Sequence, residues 1–256
     1  MSIDFSAEAI LSKKTANLKF LESSSIEDGI EFRFSEGTTI KANADFLTAA
    51  NRNTVLGNNG KNLCFVEHLL AAIYLLKLDK IAVEIDCEEI PLLDGSSEPW
   101  VALLERWPYK QELPCIELKQ ELSVSNNKGS SVIAIPSESF KMSYLFECPV
   151  SKKKTWVSWT EEDGYEELVK ARTFGSKQEH EMLGIVGRWL SYDASGFDLE
   201  LNSHDEPAMH KALDLFGDLS LIGQNPLSIK AHFISIKGGH ALNTQMAKLL
   251  RKTLKQ

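Results

Sequence analysis

The chain has 256 residues, 43% of them hydrophobic, and a formal net charge of -8. That length supports one large or two modest hydrophobic cores, and the acidic balance argues against a dedicated nucleic-acid binder, although a local basic patch could still hold an anionic ligand. Cys64, Cys87, Cys115 and Cys148 are scattered without CxxC spacing, which suggests neither a disulfide framework nor a thiolate zinc site; reduced, mostly buried thiols are expected.

The opening "MSIDFSAEAI" lacks the basic and long apolar regions of a signal peptide, and no apolar run reaches the ~18 residues of a membrane span. A cytoplasmic protein without a membrane span is expected. In chain order, "GIEFRF" (29–34) reads as a strand, "CFVEHLLAAIYLLK" (64–77) as a helix and "IAVEID" (81–86) as a strand. "RWPYKQELPC" (106–115), with two prolines and mixed charges, is the most linker-like stretch and places a domain boundary near residue 112. Beyond it come strands at "SVIAIP" (131–136), "FKMSYLFE" (140–147) and "TWVSW" (155–159). Helices are predicted at 176–190, 206–223 and 243–254, with a strand "HFISI" at 232–236. Each of the two domains, 1–112 and 113–256, thus offers strands and one long, very apolar helix.

The helix at 206–223 poses a chemical question. His210, Asp214 and Asp218 form an i, i+4, i+8 stripe with Lys211 beside it, on a helix otherwise apolar nearly all round. A buried ionised carboxylate costs several kcal/mol unless it is paired or coordinates a metal. In the first half, "FVEHLLAAIYLL" carries Glu67 and His68 at a similarly odd place. If the two helices face each other, His68, His210 and Asp214 supply two nitrogens and one carboxylate oxygen, leaving a fourth zinc position open, with Glu67 beside them. Taken singly, a histidine on an apolar helix is more often a hydrogen-bonded core residue, and His-x3-Asp alone is common and weak. His180 and His204 lie in polar stretches and are expected to be exposed, whereas His232 is expected to be structural. His240 sits in "KGGHALN", where Gly238 and Gly239 allow close approach to a ligand and Lys237 could face an anion; a simple glycine turn before a helix is the competing reading.

Five ordered blocks, "VEHLLAA", "EIPLLDGSSEPWV", "ARTFG", "MHKALDLFGDLSLIG" and "KGGHALN", resemble the motifs of the UDP-3-O-acyl-N-acetylglucosamine deacetylase family, zinc enzymes that commit a cell to lipid A synthesis. The resemblance implies an α+β fold of two similar domains, each a small sheet layered on helices, with the active site between the layers. It implies His68, His210 and Asp214 as zinc ligands, Glu67 as general base and His240 as general acid, held protonated by Asp218. Thr173 and Lys211 would stabilise the developing oxyanion, Phe174 would line the sugar pocket, and Lys237 would lie near the diphosphate of a UDP-linked acylated amino sugar. Two histidines and one carboxylate suit Fe2+ as well as Zn2+. Asp94, in the "DGS" turn, also matches, but turn formation explains it. Nothing in the sequence specifies an oligomeric state.

Two departures stand out. The family's N-terminal GxGLHSG loop has no counterpart in "EAILSKKTANLKF", and the segment after "ARTFG", where relatives insert a strand-helix-strand unit around the acyl chain, lacks their glycine pair and β-branched run. Three readings follow: the lipid A deacetylase; a zinc amidohydrolase of the same chemistry on another N-acylated sugar; and an inactive binding homologue, against which the full set of matched positions argues.

Overall fold

The computed structural model describes residues 1–254. β1 (Ser2–Glu8) and β2 (Thr15–Glu22) form a hairpin, followed by β3 (Glu31–Phe34) and β4 (Thr39–Lys41). A ribbon of β5 (Leu47–Ala50), β6 (Thr54–Asn58) and β7 (Lys61–Cys64) leads into α1 (Val66–Leu75). β8 (Ile81–Ile85) then enters the middle of the first sheet, antiparallel to β2 and parallel to β3, and α2 (Glu98–Leu104) follows.

The second half repeats this plan. β9 (Ile116–Glu117), β10 (Leu122–Ser125), β11 (Ser131–Pro136), β12 (Lys141–Glu147) and β13 (Lys154–Thr160) precede α3 (Glu166–Lys170). An inserted unit of β14 (Phe174–Ser176), α4 (Lys177–Leu183), β15 (Leu190–Asp193) and β16 (Gly196–Phe197) comes before α5 (Glu206–Leu219). β17 (Ile229–Ile236) enters the second sheet antiparallel to β11 and parallel to β12, and α6 (His240–Leu254) completes the half. The sheet orders β1-β2-β8-β3-β4 and β10-β11-β17-β12-β13 therefore match position for position. This is an α+β fold of two similar halves.

Alternation drives both sheets. β2 buries Ala16, Leu18 and Phe20 on one face, and β17 buries Ile229, Ala231, Phe233 and Ser235. The two faces and the helices share one continuous core, running from Phe20 and Phe32 to Tyr144 and Phe233. Every residue of α1 is buried, and α1 packs on α5. Gly217 permits this: a Cβ there would collide with the backbone carbonyl of Glu67, so the two helices meet backbone to backbone. α5 starts with Pro207 in its first turn and runs through a 3-10 turn to Gly223, whose φ of 91° ends it.

Several expectations need correction. The helix predicted over 176–190 is only α4: Ser176 and Glu179 form its capping box, and Gly184, at φ 66°, stops it. His180 is buried rather than exposed; its ring packs on Gly175, where a Cβ would meet Nε2, and Nδ1 lies 2.9 Å from Ser191 Oγ. The thiols are free but none is fully buried: Cys115 is exposed and the other three are half-buried. α6 begins at His240, three residues before the predicted start. His204 is exposed, and His232 bonds Ser143 across the sheet at 2.8 Å, both as expected. No helix among the described residues is long and apolar enough to cross a membrane.

Candidate metal centre and active site

The packing of α1 on α5 brings the two odd polar sets together. His68, at the N-terminal end of α1, and His210 and Asp214, one turn apart on α5, offer one ligand atom each within 4.8 Å of one another, all buried. Asp214 Oδ1 lies 3.5 Å from His68 Nε2 and 3.4 Å from His210 Nε2.

The protonation pattern says what belongs between them. His210 Nδ1 lies 3.1 Å from the carbonyl oxygen of Ala171, which assigns it as the protonated nitrogen and leaves the Nε2 lone pair facing Asp214. Burial pushes the His210 pKa down to about 3, so the ring is neutral at pH 7. Burial opposes ionisation of Asp214 too, but the charges of Lys211 and His240 help to outweigh it, and the carboxyl stays well below its usual range. A lone pair thus faces a carboxylate oxygen that has no hydrogen-bond partner, in a buried site. An unpartnered buried carboxylate oxygen beside imidazole nitrogens is a donor set that suits a divalent metal.

Glu67 follows immediately on the left-handed residue Phe65 (φ 60°) and Val66, and is 3% exposed. Burial raises its pKa, countered by His240 and His68. His240 opens α6; its Nδ1 lies 2.9 Å from Asp218 Oδ2, and its Nε2 3.7 Å from Asp214 Oδ2. Burial disfavours its charge, yet Asp218 and Asp214 reverse this and raise its pKa to about 9. The site therefore sets a buried carboxylate and a protonated imidazole beside a group that could hold a metal.

Other predicted residues surround this cluster. Lys211 Nζ donates to Asp214 Oδ2 at 2.6 Å and stands 5.2 Å from the Phe174 ring centre. Phe174 meets His210, Phe146, Tyr192 and Phe197 edge-on or tilted, so the insert presents an aromatic wall to the site. Thr173 is half-buried, its N–H donating to Gly95 O at 2.6 Å. Lys237 shares a cleft of about 270 Å³ with His240 and Asn51, with its amine 3.8 Å from Glu147. Asp94 accepts from Ser96 N and Oγ, the turn-forming role expected of it. Larger hollows, of about 510 and 660 Å³, open on the outer face of the first sheet and beside residues 113–115, away from the cluster.

Between β1 and β2 the amides of Leu11 and Ser12 donate to the buried Glu89 carboxylate at 2.9 and 3.2 Å, so this turn is held by the chain itself. Three site residues escape sequence reasoning. Thr54 hydrogen-bonds both Glu67 and Asp218, Asn243 donates to Asp218 Oδ2 at 3.0 Å, and Gly217 sets the helix approach. Only Gly217, a glycine inside a long helix, carries a visible signal.

A family model described as UDP-3-O-acyl N-acetylglycosamine deacetylase matches residues 1–252. A protein of Thermosynechococcus vestitus named UDP-3-O-acyl-N-acetylglucosamine deacetylase is 32% identical over 224 residues, covering 82% of this chain and 77% of the relative. Proteins of the same name from Aquifex aeolicus and Synechocystis are 31% and 32% identical, covering 89% and 84% of this chain and 83% and 82% of their own lengths.

Proposed function

Because this chain belongs to the UDP-3-O-acyl N-acetylglycosamine deacetylase family, we propose that it hydrolyses the N-acetyl amide of UDP-3-O-acyl-N-acetylglucosamine, releasing the free amine and acetate in lipid A synthesis. The observation that carries this reading is the partnerless Asp214 Oδ1 facing two imidazole nitrogens, with Glu67 and His240 buried beside it. His68, His210 and Asp214 would hold the metal, Zn2+ or Fe2+. When bound, the ion supplies Lewis acidity, easing removal of a proton from water and drawing electron density from the amide carbonyl.

Glu67 accepts the proton of the attacking water. As the carbonyl oxygen gains charge, Lys211 and the Thr173 hydroxyl stabilise it; losing one such donor typically costs about 3 to 4 kcal/mol. His240, kept protonated by Asp218, gives its proton to the nitrogen as the C–N bond breaks, so the amine leaves neutral. Phe174 lines the sugar pocket, with the aromatic wall of the insert suited to the acyl chain. Lys237, in the cleft it shares with His240, faces the diphosphate.

In this reading residues 1–112 contribute the first ligand and the base, and residues 113–256 the other ligands, the acid and the insert. Four free thiols fit a cytoplasmic enzyme. Incubation of the purified protein with UDP-3-O-acyl-N-acetylglucosamine should yield stoichiometric acetate and free amine. An intact substrate after exhaustive incubation of metal-loaded protein would overturn the reading.

A further inference from the structure

Thr54, at the start of β6, is fully buried and touches both ends of the proton path. Its backbone N–H donates to Glu67 Oε2 at 3.1 Å. Its hydroxyl donates to Asp218 Oδ1 in a short hydrogen bond. The other Asp218 oxygen receives His240 Nδ1 at 2.9 Å and Asn243 Nδ2 at 3.0 Å. Three elements, β6, α5 and α6, thus meet on one carboxylate.

We propose that Thr54 is a positioning residue that couples the base to the acid. The inference rests on the roles proposed above for Glu67 and His240. A backbone N–H can only donate, so the Glu67 oxygen it meets must be an acceptor. This pins Oε2 and leaves Oε1 to take the proton from water. The hydroxyl, spent on Asp218 Oδ1, holds that carboxylate in the rotamer whose second oxygen meets His240. A shift of Thr54 therefore misplaces donor and acceptor together, where misplacement by about 1 Å can cost on the order of 100-fold in rate. The ligands His68, His210 and Asp214 receive no hydrogen bond from Thr54, so metal binding is untouched.

The test compares Thr54→Val, which keeps shape and N–H but loses the hydroxyl, with Thr54→Ser, which keeps both donors. Thr54→Val should lower kcat by roughly 30-fold or more, with KM within about 3-fold and metal content unchanged, and Thr54→Ser should restore kcat to within about 3-fold of wild type. Wild-type kcat in Thr54→Val, or an equal loss in Thr54→Ser, overturns the proposal. If Thr54→Val does not fold, hydrogen exchange in the otherwise intact Glu67→Ala protein decides. The Thr54 amide should lose about 10-fold or more of its protection, and unchanged protection refutes the bridge. That readout is independent of turnover, so a wild-type protein that fails to deacetylate refutes the proposed function and leaves the exchange result to judge Thr54.

Discussion

His240 Nδ1 lies 2.9 Å from Asp218 Oδ2, a buried contact that ties the first turn of α6 to the last turn of α5. It fixes the expected pH dependence. In the proposed mechanism Glu67 must be ionised to accept a proton, so turnover should rise as pH climbs through its raised pKa. In the same mechanism His240 must be protonated to donate, so turnover falls as pH climbs through its raised pKa. The profile of kcat/KM should be bell-shaped, its limbs reporting the pair as macroscopic values. Asp218→Asn removes the nearest negative charge and should move the alkaline limb to lower pH. An alkaline limb that stays in place in this variant contradicts the assignment.

A second prediction concerns the crossing of α1 and α5. Because a Cβ at Gly217 would strike the Glu67 carbonyl, Gly217→Ala must push the helices apart. Overpacking of this kind costs about 1 to 3 kcal/mol. It should also separate His68 from His210 and Asp214, and so weaken metal binding as well as lower the melting temperature. Wild-type metal affinity in a destabilised Gly217→Ala would show that the crossing does not set the cluster.

Glu206 anchors the start of α5. It is 1% exposed and receives Arg172 Nε at 2.7 Å, Arg172 Nη2 at 3.0 Å and Asn202 N at 2.6 Å. Removing one member of a buried pair strands the other charge, at about 3 kcal/mol or more. Arg172→Ala should therefore lower the melting temperature by roughly 6 °C or more. Activity should fall with it, since Arg172 lies between Ala171, which orients His210, and Thr173. Calorimetry showing an unchanged melting temperature would refute the anchoring role.

The aromatic wall around Phe174 makes acyl length a test of substrate. Burial of each methylene contributes about 0.8 kcal/mol, so shortening the chain by four should lower kcat/KM on the order of 100-fold. Equal kcat/KM for a substrate with no acyl chain would point to the amidohydrolase of another N-acylated sugar.

What the sequence reveals here follows from periodicity and burial. The stripe His210, Asp214, Asp218 is legible because a helix apolar on its remaining faces must be buried, and buried carboxylates demand partners. Thr54 is not legible: "NRNT" (51–54) has no period, and its bonds to Glu67 and Asp218 arise only when distant segments converge. β1 is hard to read because its alternation is shallow, exposed against half-buried. His180 misleads because polar neighbours suggest solvent, while its burial depends on the bare backbone of Gly175. The end of α4 turns on Gly184, whose left-handed conformation outweighs the apolar residues that follow.

The most direct test measures metal content and amine release together in wild type, Glu67→Ala and His210→Ala. The account predicts about one metal per chain and turnover in wild type, retained metal with turnover reduced by several orders of magnitude in Glu67→Ala, and loss of both in His210→Ala. Near-full deacetylation by Glu67→Ala, or a wild type that binds no metal, would contradict it.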